Sequence, residues 1–292
     1  MKKTIDKVVT AGLVLILCIS VLSIYGCDSG KNTGPKTMPT PKEGVGTLPT
    51  VGPTITPSDT NNDNENPDDT LGDDQGADPE EDKPQNKVVV LDPGHGGKFT
   101  GARYFDFKEE ILTLSVANYV RDYLLTNYEG IEVYLTREEN IALDDDIKLE
   151  LEKRAIVAEE HNADFFVSLH FNASENHQLN GTTVYASFRE NVSEKSQGMA
   201  YSILDQLVAL GLKNNGVKTR VSKDYVDAEG NKLDYYAVIR HAQLRDIPGV
   251  IVEHCFMDNE TDKEFFDTEE KLRMLAEADA KGIANYMELK KK

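Results

Sequence analysis

Cysteine is almost missing from this sequence: there are three in 292 residues, Cys18, Cys27 and Cys255. Only Cys255 falls in the part with the composition of a folded domain, so an intradomain disulfide is excluded there. Stability must come from an ordinary hydrophobic core or from a metal, and Cys255 itself reads as a small buried hydrophobe. Positive charge is also scarce. Lys and Arg number 32 against 51 Asp and Glu, and over residues 87–292 the balance is 25 against 37. That excludes nucleic acid, or another anionic polymer, as a charge-driven partner. No internal repeat is found. The glycines at 94, 96 and 97 lack the spacing of a P-loop or a dinucleotide site. The acidic run Asp144 to Asp146 lacks the spacing of an EF-hand loop and reads as a helix N-terminus.

What is present divides into three parts. Residues 1–26 hold Lys2, Lys3 and Lys7, then an apolar run from Val8 to Tyr25, the order of an export signal. The run closes with Leu22-Ser23-Ile24-Tyr25-Gly26-Cys27, which resembles the lipobox of bacterial lipoproteins. That resemblance implies a lipid anchor at Cys27 and a place on the outer face of the cell membrane. Residues 27–86 are rich in Gly, Pro, Thr, Asn and Asp, with eleven acidic and no basic residues between Asp59 and Asp82. They predict a disordered, self-repelling linker. Its coil reach is roughly 45 Å, and its extended length on the order of 200 Å.

Residues 87–292 alternate short apolar runs with amphipathic segments and are expected to form one core. KVVVLD at 87–92 reads as a strand buried on both faces. Glu109 to Thr126 carries apolar residues at 111, 114, 117, 120 and 124, a helical spacing with two glutamates in the first turn. Strands are predicted over 131–136, 164–169, 181–187 and 248–253, and helices over 147–161, 192–210 and 268–288. Such alternation predicts an α/β domain, with a mostly parallel or mixed central sheet flanked by helices.

Three polar residues follow apolar, strand-like runs: His95 after VVVLD, His170 after FFVSL and Glu253 after GVIV. The carboxyl ends of strands in open α/β sheets line the ligand crevice, so these three are expected to meet. Two imidazoles and a carboxylate are a ligand set for catalytic zinc, which keeps an open position for an activated water. The glycines around His95 let the backbone turn tightly there.

These residues sit in blocks that resemble the zinc-dependent N-acetylmuramoyl-L-alanine amidases of the third type, which cut bacterial cell-wall peptidoglycan. The blocks are LDPGHGG at 91–97, GA at 101–102, EEILTLSVA at 109–117, VYLTR at 133–137, the Arg154 and Ala158 spacing, FVSLHFNA at 166–173 and IVEHCFMDNETD at 251–262. The resemblance implies that His95, Glu109 and His170 hold Zn2+ and that Glu253 is the catalytic glutamate, which takes the water's proton and passes it to the leaving nitrogen. Glu109 is preferred to Glu110 on register, because the family's glutamate stands four residues before an Asn-Leu pair and Thr113-Leu114 occupies that place. The implied partner is peptidoglycan, acted on by a monomer. Alternatives are a catalytically silent wall-binding module of the same fold and a zinc peptidase acting on the stem peptide.

Other residues have plainer readings. Glu253 has Arg240 as a candidate ion-pair partner, and Arg137 and Arg154 are expected to tie the scaffold together by ion pairs. His254 reads as space-filling, and His161 and His177 as solvated. His241 beside Arg240 is a candidate substrate contact. The stretch Arg220 to Tyr236 is longer than the shortest family pattern, with Asp227 to Asn231 read as a hairpin tip that either shapes the substrate groove or is a plain surface loop.

Overall fold

The computed structural model describes residues 86–292 and a two-residue strand, β1 (Lys36–Thr37). The predicted export signal, Cys27 and all of the predicted linker but that strand and Asn86 lie outside the described residues. Among the described residues no helix is long and apolar enough to cross a membrane.

The chain order is β2 (Lys87–Pro93), the hairpin β3 (Arg103–Tyr104) and β4 (Phe107–Lys108), α1 (Glu109–Asn127), β5 (Ile131–Leu135), α2 (Ile147–Glu160) and β6 (Phe165–Asn172). Then follow β7 (Thr182–Ala186), α3 (Ser193–Ala209), β8 (Asn214–Lys218), the hairpin β9 (Val221–Val226) and β10 (Lys232–Asp234), α4 (Ala237–Gln243), β11 (Gly249–Phe256), α5 (Glu260–Lys263) and α6 (Glu269–Tyr286). Six strands form the central sheet in the order β5-β2-β6-β11-β7-β8. Neighbours run parallel except β7, which is antiparallel to β11. The sheet is therefore mixed, as the alternating sequence pattern predicts.

The central strands β6 and β11 are buried at every position, which is why they read as nearly continuous apolar runs. Side chains of β2, β6 and β11 alternate between two cores. Val89, Leu91, Val167 and Val252 pack with residues of α1, α3 and α6, whereas Val88, Val90, Phe166 and Ile251 pack with residues of α2 and α4. Cys255 is free and fully buried.

Helix α1 differs from the sequence expectation in its facing. Ile111 is 41% exposed and Leu114 half-buried, while Leu112, Thr113, Val116, Ala117, Val120 and Leu124 are buried. The cause is polar. Glu109 and Thr113 are buried too, and Thr113 donates to the Gly94 carbonyl at 2.9 Å. A hydrophobic stripe counts only apolar residues, so it misplaces a face whose first turn buries a carboxylate and a hydroxyl. The short α4 and the polar edge strand β8 carry too little periodicity to be found from sequence.

A buried carboxylate fastens the sheet to α2. Asp92 accepts from Thr136 and Arg154 through one oxygen, both at 2.6 Å, and from Ser168 through the other, also at 2.6 Å. Arg154 also binds Glu150 one turn earlier on α2. Burial alone would raise the Asp92 carboxyl, but the Arg154 charge and the two hydroxyl donors outweigh it and hold it below its usual value.

Replacing Arg154 with Met should therefore cost about 3–5 kcal/mol, because Asp92 and Glu150 are left buried without their cation; urea unfolding of the full-length protein at neutral pH measures this. The pH dependence has a definite sign. Because the folded pKa of Asp92 is depressed, its contribution is fully present above the unfolded value near 3.8 and is lost as pH falls through the folded value. The stability gap between wild type and Asp92→Asn should accordingly shrink below about pH 4, and a gap that is constant with pH would contradict this account.

Candidate metal centre

His95 lies just past the end of β2, in a loop that turns sharply. Its own φ is +61° and that of Gly96 is +137°, so an L-residue is held in the left-handed region. Two arginines fix the turn through backbone carbonyls. Arg137 donates to Pro93 at 3.0 Å and Gly94 at 2.9 Å, and Arg154 donates to Pro93 at 2.8 Å and His95 at 2.7 Å. The expectation that Arg137 forms ion pairs is corrected: its side-chain partners are the carbonyls of Pro93, Gly94, Glu110 and Glu139 and the Thr113 hydroxyl. Burial first, and the like charge of Arg154 second, bring its pKa down to about 10.

Glu109 opens α1 and aims one oxygen between two imidazoles. Its Oε1 is 3.2 Å from Nε2 of His95 and 3.1 Å from Nδ1 of His170. Backbone amides of Phe171, at 3.1 Å, and Ala102, at 2.8 Å, donate to its two oxygens. Burial opposes the charge on Glu109, but the imidazoles of His95 and His170 prevail and hold the carboxyl far below its usual value. Glu110 is directed elsewhere, to Arg103 at 2.9 Å and the Gly101 amide at 3.3 Å.

His170 lies within β6 and Glu253 within β11, directly opposite one another in the parallel register. Both strands run beyond the predicted ends, so the two side chains project from inside strands. Glu253 is 1% exposed, and its Oε2 has no hydrogen-bond partner. Burial, and secondarily the charge of Glu109, push its pKa well above the usual carboxylate value. It does not pair with Arg240, which donates to the carbonyls of Asp234 and Tyr235 and lies 4.0 Å over the Tyr225 ring.

Donor atoms from His95, Glu109 and His170 all lie within 4.8 Å of one another. Atoms about 2.0–2.2 Å from one tetrahedral zinc would be roughly 3.4 Å apart, so this donor set fits such an ion. Two glycines make the approach possible. A Cβ on Gly94 would lie 2.2 Å from the His170 ring, and one on Gly101 would lie 2.4 Å from the Glu109 carboxylate.

Residues 89–285 match the family model described as N-acetylmuramoyl-L-alanine amidase. The chain belongs to that amidase family. The matched span contains every element that carries the site. The chain is 33% identical over 207 residues to an endolysin of Bacillus phage SPP1, covering 71% of this chain and 68% of that protein. It is 27% identical to the sporulation-specific N-acetylmuramoyl-L-alanine amidase of Bacillus subtilis, covering 70% and 69%. Among solved structures, the catalytic domain of CwlV, an N-acetylmuramoyl-L-alanine amidase from Bacillus (Paenibacillus) polymyxa, superposes with a TM-score of 0.57 at 29% identity, covering 70% of this chain and 99% of that one. Cwp6 from Clostridium difficile gives 0.59 at 29% identity, covering 68% of this chain but only 29% of that longer one.

In this amidase-family domain the cleft beside the two histidines is lined also by Phe99, Leu151, Tyr236 and Val238. His254 is not a filler. From the other face of β11 it contacts the His170 carbonyl through Nδ1 at 2.9 Å and Asp279 of α6 through Nε2 at 2.7 Å. Burial would lower its pKa, but Asp279 and the carbonyl outweigh that and raise it. His161 stacks on Tyr134 with ring centroids 3.7 Å apart, and His177 contacts Asp258 at 2.8 Å. His241 is buried, and burial followed by the Arg240 charge lowers its pKa to about 4. Asp92, Glu150 and Tyr236 were not singled out from sequence. For Asp92 a signal existed, a charged residue directly after the apolar run Val88 to Leu91.

Gly94→Ala should displace the His170 ring and weaken metal binding by at least an order of magnitude, read by competition with a chromogenic chelator. Gly130→Ala, where a Cβ meets nothing within 4 Å at φ +68°, should cost about 1 kcal/mol of stability from strain alone and leave metal affinity unchanged.

Proposed function

We propose that this chain is a zinc-dependent N-acetylmuramoyl-L-alanine amidase, hydrolysing the amide between N-acetylmuramic acid and L-alanine in peptidoglycan. The observation that carries the reading is Glu253: a buried carboxylate with an unpartnered oxygen, opposite His170 in the sheet register and close enough to Glu109 to feel its charge. A purely structural carboxylate would have found a donor. His95, Glu109 and His170 would hold the metal, and in this reading Glu253 binds none.

When bound, zinc supplies Lewis acidity toward the amide carbonyl and a water acidic enough to act near neutral pH. Glu253 accepts that water's proton as its oxygen adds to the carbonyl carbon. As the C–N bond breaks, Glu253 returns the proton to the leaving nitrogen. The products are a free lactyl carboxylate and a new alanine amine. One carboxylate can serve both steps because burial raises its proton affinity, which suits a group that must accept and then donate. The two-imidazole, one-carboxylate donor set leaves an open position, and the apolar lining of the cleft limits competing water.

The reading extends to the whole chain. Residues 1–26 serve as the export signal, Cys27 carries the lipid, and residues 27–86 tether the catalytic domain, 87–292, as a monomer reaching from the outer face of the membrane into the wall.

Purified peptidoglycan incubated with the full-length protein should yield new N-terminal alanine, and a chelator should abolish the release. Glu253→Gln should lower kcat by at least about 100-fold while retaining one metal per chain. Metal-loaded protein that releases nothing would favour a silent binding module, and new termini at other stem-peptide bonds would favour a peptidase.

A further inference from the structure

The base of the hairpin β9–β10 sets a cation against Tyr236, a residue that lines the cleft. Arg220 immediately precedes β9 and Tyr235 immediately follows β10, and the Tyr235 amide donates to the Arg220 carbonyl at 2.8 Å, closing the open end of the hairpin. The Arg220 guanidinium lies 3.6 Å over the ring of Tyr235 and 5.8 Å from that of Tyr236. Tyr236 in turn lines the cleft with His95 and His170, and its phenol feels the charge of Glu253. The platform is braced from outside: Arg189 binds Asp227 at the hairpin tip at 2.9 Å, and Ser187 donates to Asp234 at 2.6 Å.

Arg220 is exposed, and among the described residues no carboxylate pairs with it. In a domain where acids outnumber bases by 37 to 25, an exposed arginine set against two aromatic rings and with no acid paired to it among the described residues is suited to receive an anion. The substrate's chemistry says which anion. In the intact muramoyl amide the lactyl carboxyl is consumed in the bond to be cut, so the muramic acid itself carries no charge there. The remaining carboxylates belong to the peptide.

We propose that Arg220 binds a carboxylate on the peptide side of the substrate and selects muramyl peptides with a free carboxylate over amidated ones. This rests on the amidase reading above.

The test uses full-length protein, Arg220→Ala and Arg220→Lys, with two soluble muramyl peptides that differ only in whether the peptide carboxylates are free or amidated. Wild type should show a KM lower for the free form on the order of tenfold. Arg220→Ala should lose that preference through KM, with kcat within about twofold, and Arg220→Lys should keep part of it. Equal KM values for the two substrates in wild type, or an equal loss on both in Arg220→Ala, would overturn the proposal. Calorimetric titration of the released peptide, free and amidated, reads the same preference as a Kd without any turnover. If neither substrate is cut yet the free peptide binds wild type more tightly than Arg220→Ala, the amidase reading falls and the carboxylate site stands. If both are cut and no preference appears in KM or Kd, the carboxylate site falls alone.

Discussion

The buried pair between Asp92 and Arg154 is the constraint on which the rest of the site depends. Asp92 follows the apolar run Val88 to Leu91 within β2 and would be expelled from the interior without a cation, and Arg154 on α2 supplies it. Having neutralised Asp92 and bound Glu150, Arg154 has donors left for the carbonyls of Pro93 and His95. One side chain therefore sets both the distance of α2 from the sheet and the course of the loop that presents His95. Arg137 repeats the device from the end of β5, binding Pro93 and Gly94. The loop's left-handed turn is tolerable because four of its backbone hydrogen bonds are charge-assisted.

Around that fixed loop, the donor set is assembled from elements that are far apart in the chain. His95 comes from a loop, Glu109 from the first turn of a helix and His170 from a central strand, so the cluster exists only when β2, α1 and β6 are packed. Gly94 and Gly101 are required there for space, since a Cβ at either would collide with a donor side chain. Behind the sheet, His254 and Asp279 hold the His170 carbonyl from the opposite face. The site is thus supported from two sides, with arginines in front and a histidine–carboxylate pair behind.

The hairpin β9–β10 contributes none of these donors. It is tied by Arg189 and Ser187, and its base carries a cation, Arg220, against two tyrosines whose rings meet edge to face, of which Tyr236 lines the cleft. The donor set and the hairpin are therefore built by different segments of the chain.

The sequence by itself determined the α/β class, the central strands and the identity of the residues that cluster. Runs such as VVVLD and FFVSL can satisfy their apolar side chains only in a covered sheet, and seven ordered blocks carried the family. It also preferred Glu109 to Glu110 through register, although both begin the same helix. Only the tertiary structure decided how those residues face. The true buried stripe of α1 was hidden because Glu109 and Thr113 are buried polar groups. Arg137 binds carbonyls, which no charge pattern encodes. His254 bonds the His170 carbonyl and Asp279, partners from β6 and α6. Arg220 meets Tyr236 because a hairpin folds back on itself. Each of these depends on partners distant in the chain, whose separations are set by packing and not by local propensity.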